Sequence, residues 1–356
     1  GETTAQVFLG TRILCAKCHN HPTERWKQDD YYALAALFAR VERKLDDLGK
    51  RDRFDKHERN GEEEIGIGGP GRVEHPRTGQ LVPPRLPLST QPLPPDTSDP
   101  RAAFAAWLTA AENPLFARAM VNRIWQSLFG KGQVDPVDDL RDSNPAANPA
   151  LLQALAQDFV QHGYDLRHTV RLLMNSRTYQ LSAEPNATNR ADERFFSRAI
   201  PQRLPAESLL DAITQVTGVS DRAGRQPSTV RAALLPSINK FRHPFLKLFG
   251  QPARESVCAC ERNDEATLGQ AFALISGDLI AGRLTRPENR IGEAIHSGRS
   301  DGEIVTEFYL ATLSREPTST ERRKALEYVS RKGERRAGLE DVVWALLNSK
   351  EFLLRR

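Results

Sequence analysis

The sequence predicts a mainly α protein, a multi-helix, bundle-like architecture with a small β-bearing insert near residues 60–85. Three observations carry that expectation. Apolar residues recur at helical spacing from about residue 99 almost to the end. Helix starts and stops are punctuated by Asn-Pro, Asp and Gly signals. Strand-like patterning is confined to one Gly- and Pro-rich stretch. With 356 residues the chain can bury a large core, and chains of this length usually divide into two or more domains.

Residues 3–19 open with Thr3-Thr4, a pair suited to N-capping, and place Val7, Phe8 and Leu14 at roughly helical spacing. Residues 20–28 form a short polar connection containing His21, Pro22 and Trp26. A second helix is expected from about Asp29-Asp30, whose carboxylates complement the positive end of the helix dipole. It carries Tyr32, Leu34, Leu37, Phe38 and Val41 up to the charged run 42–47.

Residues 49–97 differ in kind, with Gly66, Gly68, Gly69, Gly71 and a series of prolines ending at Pro94-Pro95. Residues 62–67 and 72–75 read as short strands, 77–80 as a turn before Leu81-Val82, and 83–100 as a boundary. Helices are then expected over 101–111 and over 115–129, the latter entered through Asn113-Pro114 and stopped by Gly130. Further helices are expected over 149–162, 166–176, 205–217, 266–284, 303–313, 319–330 and 339–347.

The organisation this implies is a helical segment at 1–48, an insert or linker at 49–98 and a helical domain at 99–356. An internal echo suggests two related units within the last, at 113–182 and 301–354. Leu172-Leu173-Met174-Asn175-Ser176-Arg177-Thr178-Tyr179 parallels Leu346-Leu347-Asn348-Ser349-Lys350-Glu351-Phe352, and 121–128 parallels 305–312. Two copies are too few for a solenoid.

Composition excludes several classes. The 50 Lys and Arg against 46 Asp and Glu leave a net charge of +4, with basic residues mostly beside acidic ones, so nucleic acid is not an expected partner. A mean hydropathy of -0.52 and the lack of a long apolar run predict no membrane span. An apolar content of 39% argues against a disordered chain. The chain starts at Gly1 rather than Met, from which a processed or truncated N-terminus is expected.

Chemistry concentrates at the cysteines. All four fall in two tight pairs, Cys15-Ala16-Lys17-Cys18-His19 and Cys258-Ala259-Cys260. The spacing Cys15, Cys18, His19 suits covalent haem c, because two thiols can reach two vinyl groups while the adjacent His supplies the proximal nitrogen to iron. Nearby Trp26, Tyr31, Tyr32 and Phe38 are suited to excluding water from such a cofactor. His21 would act from outside the iron shell, hydrogen-bonded to a propionate or a carboxylate. Candidates for the sixth iron position are Met120, Met174, His57, His75 and His243; both Met residues read as core packing, and His243 is the slightly favoured candidate.

A second reading joins Cys15, Cys18, Cys258 and Cys260 into a four-thiolate site for zinc or an iron–sulfur cluster. A third makes Cys258 and Cys260 a small-loop disulfide. The acidic group Asp135, Asp138, Asp139 and Asp142 around Arg141 suits calcium or sugar hydroxyls, but turn capping is the plainer role. The phosphate-loop, dinucleotide and hydrolase motifs are absent from the sequence.

These segments also resemble known families. Phe8-Leu9-Gly10, the stretch from Cys15 to Pro22, Trp26 and Gln28-Asp29-Asp30-Tyr31-Tyr32 look like the end of the planctomycete cytochrome-C-like secreted domain. Residues from about Phe104 onward resemble its usual companion, the planctomycete secreted domain of unknown function. That second likeness rests on Asn113-Pro114, Val121-Asn122-Arg123-Ile124-Trp125, the stretch 134–141, Asn175-Ser176-Arg177-Thr178-Tyr179 and Arg203-Leu204-Pro205-Ala206-Glu207. It also uses Phe249-Gly250, Arg254-Glu255, Cys258-Ala259-Cys260-Glu261-Arg262 and 346–352. The resemblance implies a periplasmic or secreted haem protein whose partner is a redox protein or an upstream cytochrome domain.

Overall fold

The computed structural model describes residues 1–45, 63–69, 71–220, 231–234, 243–252 and 266–355. The mainly α expectation holds: the described residues are dominated by helices, with two small two-stranded sheets. Contacts divide the chain into two compact units, one running from Gly1 to Ile200 and the other beginning at Pro201. No helix among the described residues is long and apolar enough to cross a membrane.

The first unit begins with α1 (Glu2–Thr4), which continues into a wider π-helical turn, Ala5–Leu9. The single helix expected over 3–19 ends there. Gly10 takes a left-handed conformation with φ 62°, and its carbonyl accepts from the Leu140 amide at 2.8 Å. A Cβ at Gly10 would run into the Leu140 side chain, so glycine is required at this close approach. The residue before α1 is Gly1, so the Thr pair lies inside the helix and does not cap it.

The next helix, α2 (Gln28–Leu37), starts where the acidic pair predicts, and the Asp30 carboxylate accepts from the Lys27 amide at 2.8 Å. The helix stops earlier than its apolar pattern suggests. Val41 and the charged residues after it form β1 (Val41–Leu45), antiparallel to β2 (Glu63–Ile67), with Val41 opposite Ile67 and Leu45 opposite Glu63. Residues 72–75 make only an isolated bridge, Glu74 to Leu81, around the expected turn at Gly79.

The helices α3 (Pro100–Leu108), α4 (Phe116–Phe129), α5 (Pro149–Gln161) and α6 (Leu166–Met174) follow the punctuation in the sequence. Asp99, Asn148 and Asp165 cap α3, α5 and α6 by accepting backbone N–H bonds. Asn113 accepts from the amides of Leu115 and Phe116 at the entry to α4. Gly130 ends α4 with φ 86°. Two apolar clusters fill this unit. One combines Leu9, Ile13, Ala16, Trp26, Tyr31 and Leu37 with Phe104, Leu108 and Leu115. The other joins Val121, Trp125, Leu152, Phe159, Leu173 and Phe196.

The second unit comprises β3 (Gln202–Arg203), α7 (Ala206–Thr217), α8 (Pro244–Leu248), α9 (Leu268–Ile275), α10 (Asp278–Leu284), α11 (Arg290–His296), α12 (Asp301–Leu313), α13 (Ser319–Arg331), α14 (Arg335–Leu347), α15 (Lys350–Leu353) and β4 (Leu354–Arg355). Strand β4 pairs antiparallel with β3. The helix expected over 266–284 is two helices, because the backbone at Gly277 between them is extended, with φ -77° and ψ 148°, and its close approach to the Ala273 carbonyl leaves no room for a Cβ. The sequence reading missed α8, α11 and α15, all short. The core gathers Leu209, Ile213, Leu246, Ile280, Ile304, Phe308, Leu339 and Leu347.

The echoed segments adopt the same local geometry. Asn175 and Asn348 each form the residue after a helix end, at α6 and α14. The following Ser176 and Ser349 accept through Oγ from the amide of an aromatic residue three positions on, Tyr179 and Phe352, each at 3.2 Å.

Candidate functional site

Cys15 sits on a short 3-10 helix, Leu14–Lys17, and Cys18 follows at its end in a helical turn: the amides of Cys18 and His19 both face the Cys15 carbonyl at 3.4 Å. Ala16 points into the apolar cluster, so Cys15 and Cys18 face outward as free, exposed thiols with His19 exposed beside them. Leu14, next to the pair, is 58% exposed.

A polar frame holds the turn. The buried Gln28 side chain donates to the carbonyls of Lys17 at 3.0 Å and Cys18 at 3.1 Å. Its amide donates to Asn20 Oδ1 at 3.0 Å, and the Tyr32 hydroxyl donates to the Lys17 carbonyl at 3.2 Å. Tyr31 donates to Glu2; burial, and then that carboxylate, push its hydroxyl pKa up. Upstream, Arg12 reaches Asp138 Oδ1 through Nε at 3.2 Å and Nη2 at 2.5 Å, while Gln6 donates to Oδ2 at 2.5 Å. Arg123 donates to the Gln6 carbonyl at 3.0 Å, and burial lowers its pKa against the opposing pull of the Asp138 charge. On the other side Glu24 accepts from the Ser143 hydroxyl at 2.9 Å.

Tautomers follow from these partners. His19 Nδ1 lies 2.7 Å from the Asn20 carbonyl, which only accepts, so Nδ1 carries the proton and Nε2 keeps its lone pair. His21 has the reverse arrangement. Its Nδ1 accepts from the amides of Thr23 at 3.3 Å and Glu24 at 3.2 Å, leaving Nε2–H as a donor. His19 therefore presents Nε2 as an acceptor, and His21 closes a turn.

The donor atoms of Cys15, Cys18, His19 and His21 do not gather as any set of three within 4.8 Å. A single tetrahedral ion places its ligand atoms about 3.4–3.8 Å apart, so this segment alone is no such site. Attachment of a porphyrin makes no such demand, since the thiols bond to its edge and the imidazole to its centre. The donor set therefore fits a haem, but the pocket lined by Ile13, Ala16, Trp26 and Tyr31 has a volume of about 10 Å³, room for no more than a water. The aromatic residues expected to shelter a cofactor instead pack on one another and on α3.

Each described sixth-position candidate has its own local setting. His75 is buried, 3.1 Å from Asp29, with Nδ1 accepting from the Arg77 amide at 3.2 Å. His243 caps α8, its Nδ1 accepting from the Phe245 amide at 3.1 Å. Met120 is half-buried against the α4–α5 cluster as expected, whereas Met174 is exposed, because it ends the short helix α6 facing outward. His57, Cys258 and Cys260 lie outside the described residues. The acidic group does not converge either: Asp138 is fully buried against Arg12 and Gln6, and Asp139 pairs with Arg141 at 3.2 Å.

Sequence reasoning missed two polar features here, the buried Asn122 and the cluster Asp158, His162 and His168. The i,i+4 spacing of Asp158 and His162 was the available signal for the second.

No curated protein and no solved structure matches the chain. A family model, PSCyt2, described as a protein of unknown function (DUF1549), matches residues 1–43, the stretch that holds the cysteine turn. A second matches residues 100–329, more than half of the chain, and on that match the chain belongs to the PSD1 family, proteins of unknown function (DUF1553).

Proposed function

We propose that the chain is a periplasmic or secreted c-type haem protein that transfers electrons, with Cys15 and Cys18 as the attachment thiols and His19 as the iron ligand. The observation that supports this reading is the Cys15–His19 turn, which presents two free thiols and an imidazole whose Nδ1–H is tied to a carbonyl. That tie orients the ring and raises its basicity as a ligand. Bound there, haem supplies one-electron chemistry, and the redox partner would be a separate protein or an upstream cytochrome domain. Gln28 and Tyr32 keep the turn's carbonyls engaged, so the thiols hold their spacing without a cofactor. In this reading the electrons come from oxidation of a carbohydrate or another extracellular substrate.

A second reading is favoured by the tight packing behind the turn. With room for no more than a water behind the turn, Cys15 and Cys18 instead join Cys258 and Cys260 in a zinc or iron–sulfur staple of a non-enzymatic interaction module. Haem staining of a denaturing gel, with the absorption spectrum of protein from a host that attaches haem c, separates the two. The expected result is covalent haem with a sharp reduced α band, and loss of the low-spin spectrum in His19→Ala. A protein without covalent haem, either colourless with bound zinc or showing the broad, bleachable absorption of an iron–sulfur cluster, would overturn the haem assignment and establish the staple.

A further inference from the structure

Helices α5 and α6 meet at a cluster that the cysteine turn does not use. Asp158 lies in the last turn of α5, His162 is the residue after its end, and His168 lies in the first turn of α6. The carboxylate takes one imidazole on each oxygen: His162 Nδ1 is 3.3 Å from Oδ1 and His168 Nε2 is 3.0 Å from Oδ2. The two rings stack with centroids 3.7 Å apart and planes inclined by 14°. One donor atom from each residue lies within 4.8 Å of the others.

We propose that Asp158, His162 and His168 form a binding site for a divalent transition-metal ion of the zinc class. This inference stands apart from the haem reading. Two imidazoles and a carboxylate are the ligand set such ions take with an open position for water. A tetrahedral ion at usual bond lengths separates nitrogen and oxygen ligands by about 3.4 Å. His162 Nδ1 already lies about that far from Oδ1, and His168 Nε2 is within about 0.4 Å of that distance from Oδ2, so the carboxylate offers one oxygen to each ring, and binding requires the imidazoles to turn out of their stack until both lone pairs meet at the ion. A clasp between the helices needs one histidine; His162, exposed and stacked on the other ring, adds a second donor to the same carboxylate.

The segment joining the ligands is built to hold them. Gly163 and Tyr164 are both left-handed, each with φ 62°, and turn the chain sharply between α5 and α6. Tyr164 holds that strained conformation because its hydroxyl donates to the Thr109 carbonyl at 2.8 Å and its ring packs edge-on against Phe159. Asp165 then accepts from the amides of Arg167 at 2.8 Å and His168 at 3.1 Å, fixing the first turn of α6. Without an ion His162 Nδ1–H donates to the Asp158 carbonyl at 2.9 Å. On metal binding this nitrogen gives up its proton and the ring carries one on Nε2 instead, so the imidazole binds neutral.

Cobalt(II) titration of the full chain tests the site, because thiolate ligation announces itself by intense near-ultraviolet charge transfer that His and Asp ligands lack. One ion per chain is expected, without that band. Affinity should fall at least about tenfold in His162→Gln and in His168→Gln and stay unchanged in Cys15→Ser. Circular dichroism identifies any variant that loses its fold, and the other single variant then decides. Unchanged binding in the folded variants, binding only with thiolate absorption, or no binding at all would overturn the proposal and leave the cluster as an interhelical clasp.

Discussion

Two helix trios in this chain share a layout and differ in what they hold. In the first, α4 packs on α5 and α6; in the second, α12 packs on α13 and α14. Both end in Asn-Ser followed by an aromatic residue whose amide the serine captures. At parallel positions inside the leading helix, Val121 and Val305 are both buried. The next residue separates the trios. Asn122, with 0% exposure, donates to the Val134 carbonyl at 2.8 Å and accepts from the Val134 amide at 3.0 Å. Thr306 bonds only back to Gly302 of its own helix. The first trio thus holds a loop carrying Asp138, which in turn grips Arg12 and Gln6 before the cysteine turn. The second holds its neighbours through partly exposed ion pairs, with Glu307 of α12 taking Arg290 and Arg299 and Arg315 bridging Glu321 and Glu351. One helical pattern serves as an anchor through a buried amide in one trio and through charge in the other.

The largest test of this contrast is Asn122→Ala against Thr306→Ala. Stranding the Val134 groups and opening a small hole should cost about 3 kcal/mol in the first case. The second should cost less than about 1 kcal/mol, since an intrahelical hydroxyl bond at a half-buried site is readily replaced. Urea midpoints measure both, and equal losses would erase the distinction. Ser176→Ala and Ser349→Ala should each cost about 1 kcal/mol, as the loss of a capping acceptor does. A clear loss at only one of them would show that the shared exit is equivalent in shape but not in energy.

The smallest effect concerns acid. Hydrogen bonds from Arg315, and then from the Thr318 amide, lower the Glu321 pKa from 4.5 to about 2. Because the folded value lies below the unfolded one, the stabilisation is present above pH 4.5 and drains away as pH falls towards 2. Arg315→Ala should flatten that acid limb of the stability curve. The partly exposed pairing keeps the change modest, and an unaltered limb would remove this network from the contrast.

Much of the helical framework was legible because its punctuation is local. Asp99, Asn113, Asn148 and Asp165 act on amides within three residues of themselves, and Gly130 stops α4 by its own conformation. The errors arose where a distant partner decides. Val41 continues the apolar pattern of α2, yet its backbone pairs with Ile67 across the sheet. Gly10 breaks the first segment because Leu140 needs the room. At the candidate site the cysteine turn and the separate parts of His19 and His21 were readable from spacing, while the tautomer of each ring and the turn that His21 closes were not. Those depend on which nitrogen meets a carbonyl and which meets an amide. The Asp158–His168 cluster escaped because a two-residue left-handed turn brings α6 back to α5.

The apolar cluster that joins Leu9, Trp26 and Leu37 to Phe104, Leu108 and Leu115 bears on how such a chain is inherited. The stretches 1–43 and 100–329 are matched by separate family models, but their side chains interleave in one core. A gene rearrangement that passed on the second stretch alone would deliver Phe104 and Leu108 with half of their surroundings missing, and the recipient would carry an exposed greasy face. The seam between the two matched stretches is therefore a poor place for recombination to cut.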